Sequence, residues 1–391
     1  MIEIENKKDC CGCAACTQVC PKHCITMVED AEGFLYPNVE LEKCVGCDMC
    51  QRVCPILIKA EEDTQDIKAY AAYNLDEKER LQSSSGGVFS LLAKQILREG
   101  GVVYGAAMSE DCTSVCHIKI ESPDELAALR GSKYIQSSTE GVYKQIKNEL
   151  DDGRKVLFSG TPCQIAGLKS FLITDHENLF CIGVICHGVP SSKLWRKYLR
   201  YRENRAGASA RRTFFRHKYY GWKMYAVLFE FSNSTAYKQI LYKDLFMQMF
   251  LQNICLRPAC YVCPFKGLHQ LADISLADFW GANTICPEMD DDKGLSLVLV
   301  HTPKGNELFQ EIKETMNSKE VDFQQAASLN PAIIEPCAKP INRDFFMNDM
   351  GTLTIKQLGA KYLKKKSIVV RIRIWMSVNI KKRLQKALRK G

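Results

Sequence analysis

Two copies of one cysteine spacing constrain this chain more than any other feature: Cys10-x2-Cys13-x2-Cys16-x3-Cys20-Pro21 recurs as Cys44-x2-Cys47-x2-Cys50-x3-Cys54-Pro55, 34 residues further on. No other internal repeat is found. Ten of the 20 cysteines precede residue 55, so the thiols are concentrated rather than spread. Three closely spaced thiolates can cap three corners of an iron–sulfur cube, and in paired runs of this kind the fourth corner comes from the other copy. The expected sets are therefore Cys10, Cys13, Cys16 and Cys54 for one 4Fe-4S cluster, and Cys44, Cys47, Cys50 and Cys20 for the other. A zinc ribbon needs two pairs of ligands, not two matched quartets that each end in Cys-Pro. Cys11 and Cys24 fall outside both frames and read as bystanders.

Met1 to Lys8 show no basic segment followed by an apolar one, so nothing there directs the thiols to an oxidising compartment. Metal ligation is expected over disulfides, and a cytoplasmic location with it. The most apolar late stretch, Ser367 to Ile380, is interrupted by Arg371 and Arg373, so no bilayer crossing is expected. A chain of 391 residues, 46% hydrophobic and 25% charged, is ordinary for a folded protein and excludes collagen-like and disordered classes. The net charge of +8 is local: residues 361–391 hold twelve Lys or Arg and no acid, and the rest of the chain is slightly acidic. Nucleic acid is therefore not an expected partner.

Composition shifts divide the chain. Residues 1–58 form the cysteine-dense unit, and the polar stretch Lys59 to Asp66 has linker character. From Ile67, strand-like runs (Lys68 to Tyr73, Gly101 to Ala107, Val156 to Phe158, Leu179 to Ile185, Leu295 to Val300) alternate with helix-length segments such as Val88 to Leu97. The expected fold is α/β (α+β): a small ferredoxin-like unit at 1–58, a larger α/β domain at 67–345, and a connector with a basic helical tail at 346–391.

A third thiol group, Cys255-x4-Cys260-x2-Cys263-Pro264, needs a fourth ligand. Cys163 and Cys186 each follow an apolar strand-like run, where strand ends of an α/β sheet face a common crevice; Cys163 is preferred and Cys186 is the alternative. Cys112, Cys116, Cys181, Cys286 and Cys337 read as small apolar groups. Three turns could offer backbone N–H groups to phosphate: Ser83-Ser-Ser-Gly-Gly87, Gly131-Ser-Lys-Tyr134 with Gln136, and Ser159-Gly-Thr-Pro162. There is no GxGxxG fingerprint.

Residues 1–58 resemble a bacterial-type ferredoxin domain with two 4Fe-4S clusters. Ser84-Ser-Gly-Gly-Val88, Gly131 to Tyr134, Phe158-Ser-Gly-Thr-Pro-Cys-Gln164, Cys186-His-Gly-Val-Pro-Ser191, Arg257-Pro-Ala-Cys-Tyr-Val-Cys263 and Ala272 to Gly281, in that order, resemble the coenzyme F420 hydrogenase/dehydrogenase beta-subunit family. The resemblance implies FAD held by Ser85, Gly86, Gly87, Gly131, Ser132, Lys133, Tyr134, Gln136, Ser159, Gly160 and Thr161. It also implies a third 4Fe-4S cluster on Cys255, Cys260, Cys263 and Cys163 or Cys186. Members pass electrons between a hydride carrier and an iron–sulfur chain, and their substrates vary, from the archaeal deazaflavin to a chlorophyll derivative in plants.

A flavin accepts two electrons and releases them singly, so it belongs between a hydride donor and one-electron clusters. The sequence thus reads as an iron–sulfur flavoprotein oxidoreductase, its expected partners a ferredoxin or other redox protein and an organic substrate or deazaflavin-type carrier. One alternative is a non-enzymatic electron-transfer subunit of a larger complex. The other is a reductase of a lipid-linked intermediate in surface-polysaccharide assembly. His187 is the candidate proton donor. Asp273 and Asp278 alternate with apolar residues as on a strand, and Arg211, Arg212, Arg216, His217 and Lys218 form a basic patch able to meet an acidic ligand. The apolar positions Val369, Ile372, Met376, Ile380, Leu384 and Leu388 recur at helical spacing amid the tail's cations, a pattern suited to peripheral contact with an anionic membrane surface at the inner face.

Overall fold

A computed structural model describes residues 1–58, 67–267 and 271–364. The 34-residue repeat is visible in the backbone. Gly12 and Gly46 both take positive φ (74° and 68°), as do Ala14 and Asp48 (59° and 57°), and each pair opens a short helix, α1 (Ala15–Val19) and α2 (Met49–Arg52). Only glycine enters that conformation without steric cost, which accounts for Gly12 and Gly46. An antiparallel hairpin, β1 (Ile25–Glu29) with β2 (Leu35–Val39), lies between the two halves.

The larger part is built on a nine-stranded mixed sheet of β3 (Lys68–Asn74), β4 (Val102–Met108), β5 (Val115–Ile120), β6 (Ser137–Ser138), β7 (Val156–Gly160), β8 (Leu179–Val184), β12 (Ile274–Asp278), β13 (Ser296–Val300) and β14 (Met316–Val321). Their order is β14-β3-β13-β12-β8-β7-β4-β5-β6. Four central strands, β12, β8, β7 and β4, are mutually parallel, and antiparallel neighbours flank them. The α/β expectation holds. Val156, Leu157, Phe158, Ile182 and Ile274 are fully buried, as parallel strands covered on both faces require. The covering helices include α4 (Val88–Arg98), α5 (Val142–Asp151) and α6 (Pro162–Leu172); α3 (Glu77–Gln82) precedes them.

A second layer, not foreseen as a unit, is a three-stranded antiparallel sheet of β9 (Ala210–His217), β10 (Ala226–Phe231) and β11 (Ala236–Ile240), packed with α7 (Ser192–Ala206) and α8 (Leu245–Leu251). Its core is aromatic: Trp195, Tyr198, Phe215, Phe229 and Phe246 are all buried, and Trp195 donates from its indole N–H to the Cys112 carbonyl at 2.8 Å. The stretch read as a connector contributes to this core. Helices Arg343–Asp349 and Ile355–Tyr362 bury Phe346, Met347, Ile355 and Leu358 there. The basic helix expected in the tail lies outside the described residues from 365 onward. No helix among the described residues is long and apolar enough to cross a membrane.

The cysteine-dense unit docks on both layers. Gln18 of α1 donates to the Thr139 carbonyl (3.1 Å) and accepts from the Tyr143 N–H (2.8 Å), while Thr139 Oγ1 donates to the Cys13 carbonyl (2.8 Å). At the hairpin, Phe34 is buried in the aromatic core, and Arg343 grips Glu32 through two parallel bonds of 2.7 and 2.6 Å. Such bidentate pairs fix orientation as well as contributing energy.

Candidate redox centre

In the first repeat set, Cys10, Cys16 and Cys54 act electrostatically on one another, and Cys13 lies against α6, its sulfur 3.0 Å from where a Cβ on Gly167 would stand. Burial pushes the Cys16 thiol up to about 12. Cys20, Cys44, Cys47 and Cys50 line a second pocket with Cys24 and the Met1 terminus, and the Ile2 N–H points at the Cys50 sulfur at 3.1 Å. Cys54 of the second repeat thus lies with Cys10 and Cys16 of the first, and Cys20 of the first with Cys44, Cys47 and Cys50 of the second. N–H groups aimed at sulfur are one lever by which proteins set cluster potentials. Cys24 is not remote from this pocket: its sulfur lies 3.4 Å from that of Cys20, and that hydrogen bond, with burial behind it, raises the Cys24 thiol to about 11.

The third group differs from its expected composition. Cys163 sits in the first turn of α6, just past β7, and Cys186 follows β8 by two residues, so the parallel strands set the two side by side at their C-terminal ends. Every pair among Cys163, Cys186, Cys260 and Cys263 interacts electrostatically. Cys255 does not join them. It is fully buried in the aromatic core near Arg343, because the turn Arg257–Cys263 carries Cys260 and Cys263 toward the strand ends and leaves Cys255 behind. Cys163 and Cys186, weighed as alternatives, are both present.

Burial pushes the Cys186 thiol up to about 12 and the Cys263 thiol up to about 11, with the Lys266 ammonium opposing it at both. Lys266 donates to the carbonyls of Cys186 and Ala332, and the Val189 N–H reaches the Cys260 sulfur at 3.3 Å. Thiols this protonated become ligands only when a metal displaces their protons. Among the described residues, no group of three or more His, Cys, Asp or Glu is arranged to hold a metal ion. Cys337 packs against the aromatic core near Cys186 and donates to the His187 carbonyl at 2.7 Å, whereas Cys116 is exposed and is not a packed apolar group.

Cys11 joins the two regions. Its buried thiol interacts electrostatically both with that of Cys13 and with that of Cys163. Arg257 lies alongside, fully buried, donating to the Cys10 carbonyl at 2.8 Å, the Leu35 carbonyl at 2.9 Å and Gln136 Oε1 at 3.1 Å. Neither residue stands out as functional in the sequence. The doublet Cys10-Cys11 and the Arg-Pro opening of the third thiol motif are the available signals.

The three glycine-bearing turns are linked to one another through side chains at the strand ends. Ser132 N–H donates to Ser84 Oγ (2.7 Å), Gln164 Nε2 donates to the Ser137 carbonyl (3.1 Å), and the His117 ring bridges Ser137 Oγ (2.8 Å) and the Ser159 carbonyl (2.9 Å). Their N–H groups are less available than expected. Gly86 N–H is taken by Ser296 Oγ (3.0 Å) and Thr161 N–H by Gln164 Oε1 (3.0 Å), because serine and glutamine side chains cap these turns internally. Ser85 Oγ donates to the Leu295 carbonyl (2.6 Å). Gln136 faces Arg257 and the Cys11 and Gly12 carbonyls, and Tyr134 stacks on Phe250 with centroids 4.5 Å apart. Lys133 donates to the carbonyls of Ala128 and Arg130, both at 3.0 Å, and has no carboxylate partner among the described residues; desolvation pushes it down to about 7.

His187, expected as a proton donor, spends both ring nitrogens on protein partners. Nε2 lies 2.7 Å from Asn253 Oδ1 and Nδ1 is 3.7 Å from the Cys337 sulfur, and burial holds its pKa below the ordinary value. The basic patch also divides. Arg216 is buried against Asp278 in an ion pair, Lys218 caps the carbonyls of Arg80 and Ser85 (2.6 Å each), and Arg212 pairs with Glu230. Asp278 accepts from the Trp222 indole as well (2.7 Å).

Comparison with known families accords with this geometry. Residues 9–58 match a 4Fe-4S dicluster domain, and a second dicluster model matches residues 40–120. Residues 153–325 match the C terminus of the beta subunit of coenzyme F420 hydrogenase/dehydrogenase, a span that takes in Cys163, Cys186, Cys260 and Cys263. No curated protein matches the chain. Among solved structures, a chain of the xenon-derivatised F420-reducing [NiFe] hydrogenase complex from Methanosarcina barkeri is similar, at 16% identity and a TM-score of 0.49, over 70% of this chain and 92% of that one. The chain is therefore similar, in order, to a 4Fe-4S dicluster domain over residues 9–58 and to the C terminus of the coenzyme F420 hydrogenase/dehydrogenase beta subunit over residues 153–325.

Proposed function

We propose that this chain is an iron–sulfur flavoprotein oxidoreductase in which a third 4Fe-4S cluster, held by Cys163, Cys186, Cys260 and Cys263, connects an FAD site to the two clusters of the ferredoxin unit. The observation that carries the reading is the mutual approach of those four thiols beside Cys11, which itself abuts Cys13 of the first repeat set.

FAD, when bound, supplies the exchange between a two-electron substrate and one-electron clusters. The residues proposed to hold it are those of the converged turns, with Lys133 foremost, since an ammonium held only by carbonyls favours an anion beside it. Gly87, Gly131 and Tyr134 complete the lining, while Ser85, Gly86, Ser132, Ser159, Gly160 and Thr161 shape the turns. Gln136 links these turns to Arg257. His187 is a positioning residue: its hydrogen bonds to Asn253 and Cys337 hold the Cys186–His187 turn in place.

The organic substrate or deazaflavin-type carrier is proposed to act at the flavin. A ferredoxin or similar redox protein is proposed to act at the pocket of Cys20, Cys44, Cys47 and Cys50, where Cys47 is exposed. Reduced viologen mixed with the anaerobic holoprotein tests this. Oxidation that depends on an added organic acceptor supports an enzyme, and oxidation only in the presence of a further protein chain supports a carrier role instead.

A further inference from the structure

We infer that Arg257 raises the reduction potential of the cluster held by Cys10, Cys13, Cys16 and Cys54 relative to what those thiolates alone would give. The inference rests on the proposed function, because it needs a cluster at those thiols.

Arg257 is 0% exposed. Its guanidinium donates to the carbonyls of Cys10 and Leu35 and to Gln136 Oε1, and Nη2 stands 3.5 Å from the Cys10 sulfur. One face is closed by Tyr36, whose ring centroid is 4.3 Å from the guanidinium carbon, with Phe34 at 5.7 Å. No carboxylate pairs with it among the described residues. A buried guanidinium without a counter-charge is costly, since desolvation is not offset by an ion pair. The anions within its reach are thiolates: its charge acts on Cys10 in the first repeat set and on Cys163 in the third group.

A cube held by four thiolates gains one negative charge on reduction, and a fixed positive charge in a low-dielectric surrounding stabilises the more negative form. Hydrogen bonding to a ligand sulfur acts in the same direction. The terminal amine of Met1 beside the other pocket is exposed and paired with Asp48 at 2.6 Å, so water and that carboxylate screen it. Arginine suits the position because it stays charged when buried and its fork spans two carbonyls and a side-chain amide at once.

The test is an electron-paramagnetic-resonance redox titration of the anaerobically purified full chain, with iron counted on each sample. In R257Q, at the potential that half-reduces this cluster in the unsubstituted protein, the reduced-to-oxidised ratio should fall at least tenfold, or 59 mV for a one-electron couple. The signal of the cluster on Cys20, Cys44, Cys47 and Cys50, identified by its change in C47S, should not move. Should R257Q lose iron, Y36A decides. Removing that ring admits water to the guanidinium, and the ratio should fall in the same direction by a smaller factor. A purely structural arginine would leave the potential unmoved in iron-replete protein, and that result, or an upward shift, overturns the inference while leaving the proposed function intact. Absence of any iron–sulfur signal from the unsubstituted protein overturns both.

Discussion

The thiol of Cys11, a residue outside both repeat frames, interacts electrostatically with that of Cys163 at the start of α6, so the cysteine-dense unit meets the α/β domain thiol to thiol here. Because the Cys11 thiol also interacts with that of Cys13, it stands beside two proposed ligands of different clusters. C11A should retain its full iron and both ferredoxin-type signals. Stopped-flow transfer from the flavin side to the dicluster unit should slow. An unchanged transfer rate would remove Cys11 from the path.

The docking of the dicluster unit depends on close approach. A Cβ on Gly167 would stand 2.8 Å from Cys13 Cβ and 3.0 Å from its sulfur, and neither can withdraw without moving α1 or α6. Overpacking of this kind costs about 1–3 kcal/mol. G167A should therefore lower the thermal midpoint and increase proteolysis within residues 1–58, as read by limited digestion of the anaerobic protein. Tolerance equal to the unsubstituted chain would show that this face is not tightly packed.

Acid should weaken the fold through buried imidazoles. Burial pushes His117 down from 6.5 to about 4, and His301 likewise. Between those values the unfolded chain binds protons that the native rings refuse, so stability is full above pH 6.5 and declines as pH falls toward 4. At about 1.4 kcal/mol per unit, each ring accounts for roughly 3 kcal/mol across the window. Denaturant unfolding at about pH 7.5 and about pH 5 should show this slope. H117Q should be less stable at the higher pH yet lose less on acidification, and an undiminished slope would assign the effect elsewhere.

Flavin retention should depend on the charge of Lys133. K133M is expected to purify with less FAD, and K133R with more than K133M, measured as flavin released on denaturation. Equal flavin in all three would place the cofactor away from this turn.

Much of this is legible in the sequence because ligand spacing is a local code. Two matched quartets specify their own cross-pairing, and the strand-like runs ending at Gly160 and Val184 place Cys163 and Cys186 in one crevice. Cys255 is misplaced by sequence reasoning for a physical reason: three cysteines within nine positions look alike along the chain, but the short turn from Pro258 to Val262 aims only the last two at the strand ends. The layer formed by β9 to β11 is hidden because Arg211, Arg212 and Arg216 punctuate β9, and polar residues on an edge strand resemble a charged loop. The helices at 343–349 and 355–362 read as connector because each buries only a few side chains against a core made elsewhere. Contacts made across hundreds of positions, such as Arg257 with Cys10, leave no local trace.

The central claim is a third cluster joined to a flavin, and counting iron and FAD per chain in anaerobically purified C186A and C255A beside the unsubstituted protein tests it most directly. The account predicts about twelve irons, as three 4Fe-4S clusters require, and one FAD in the unsubstituted protein, about four fewer irons in C186A, and no iron lost in C255A. About eight irons and no flavin in the unsubstituted protein, or loss of iron from C255A with C186A intact, would contradict it.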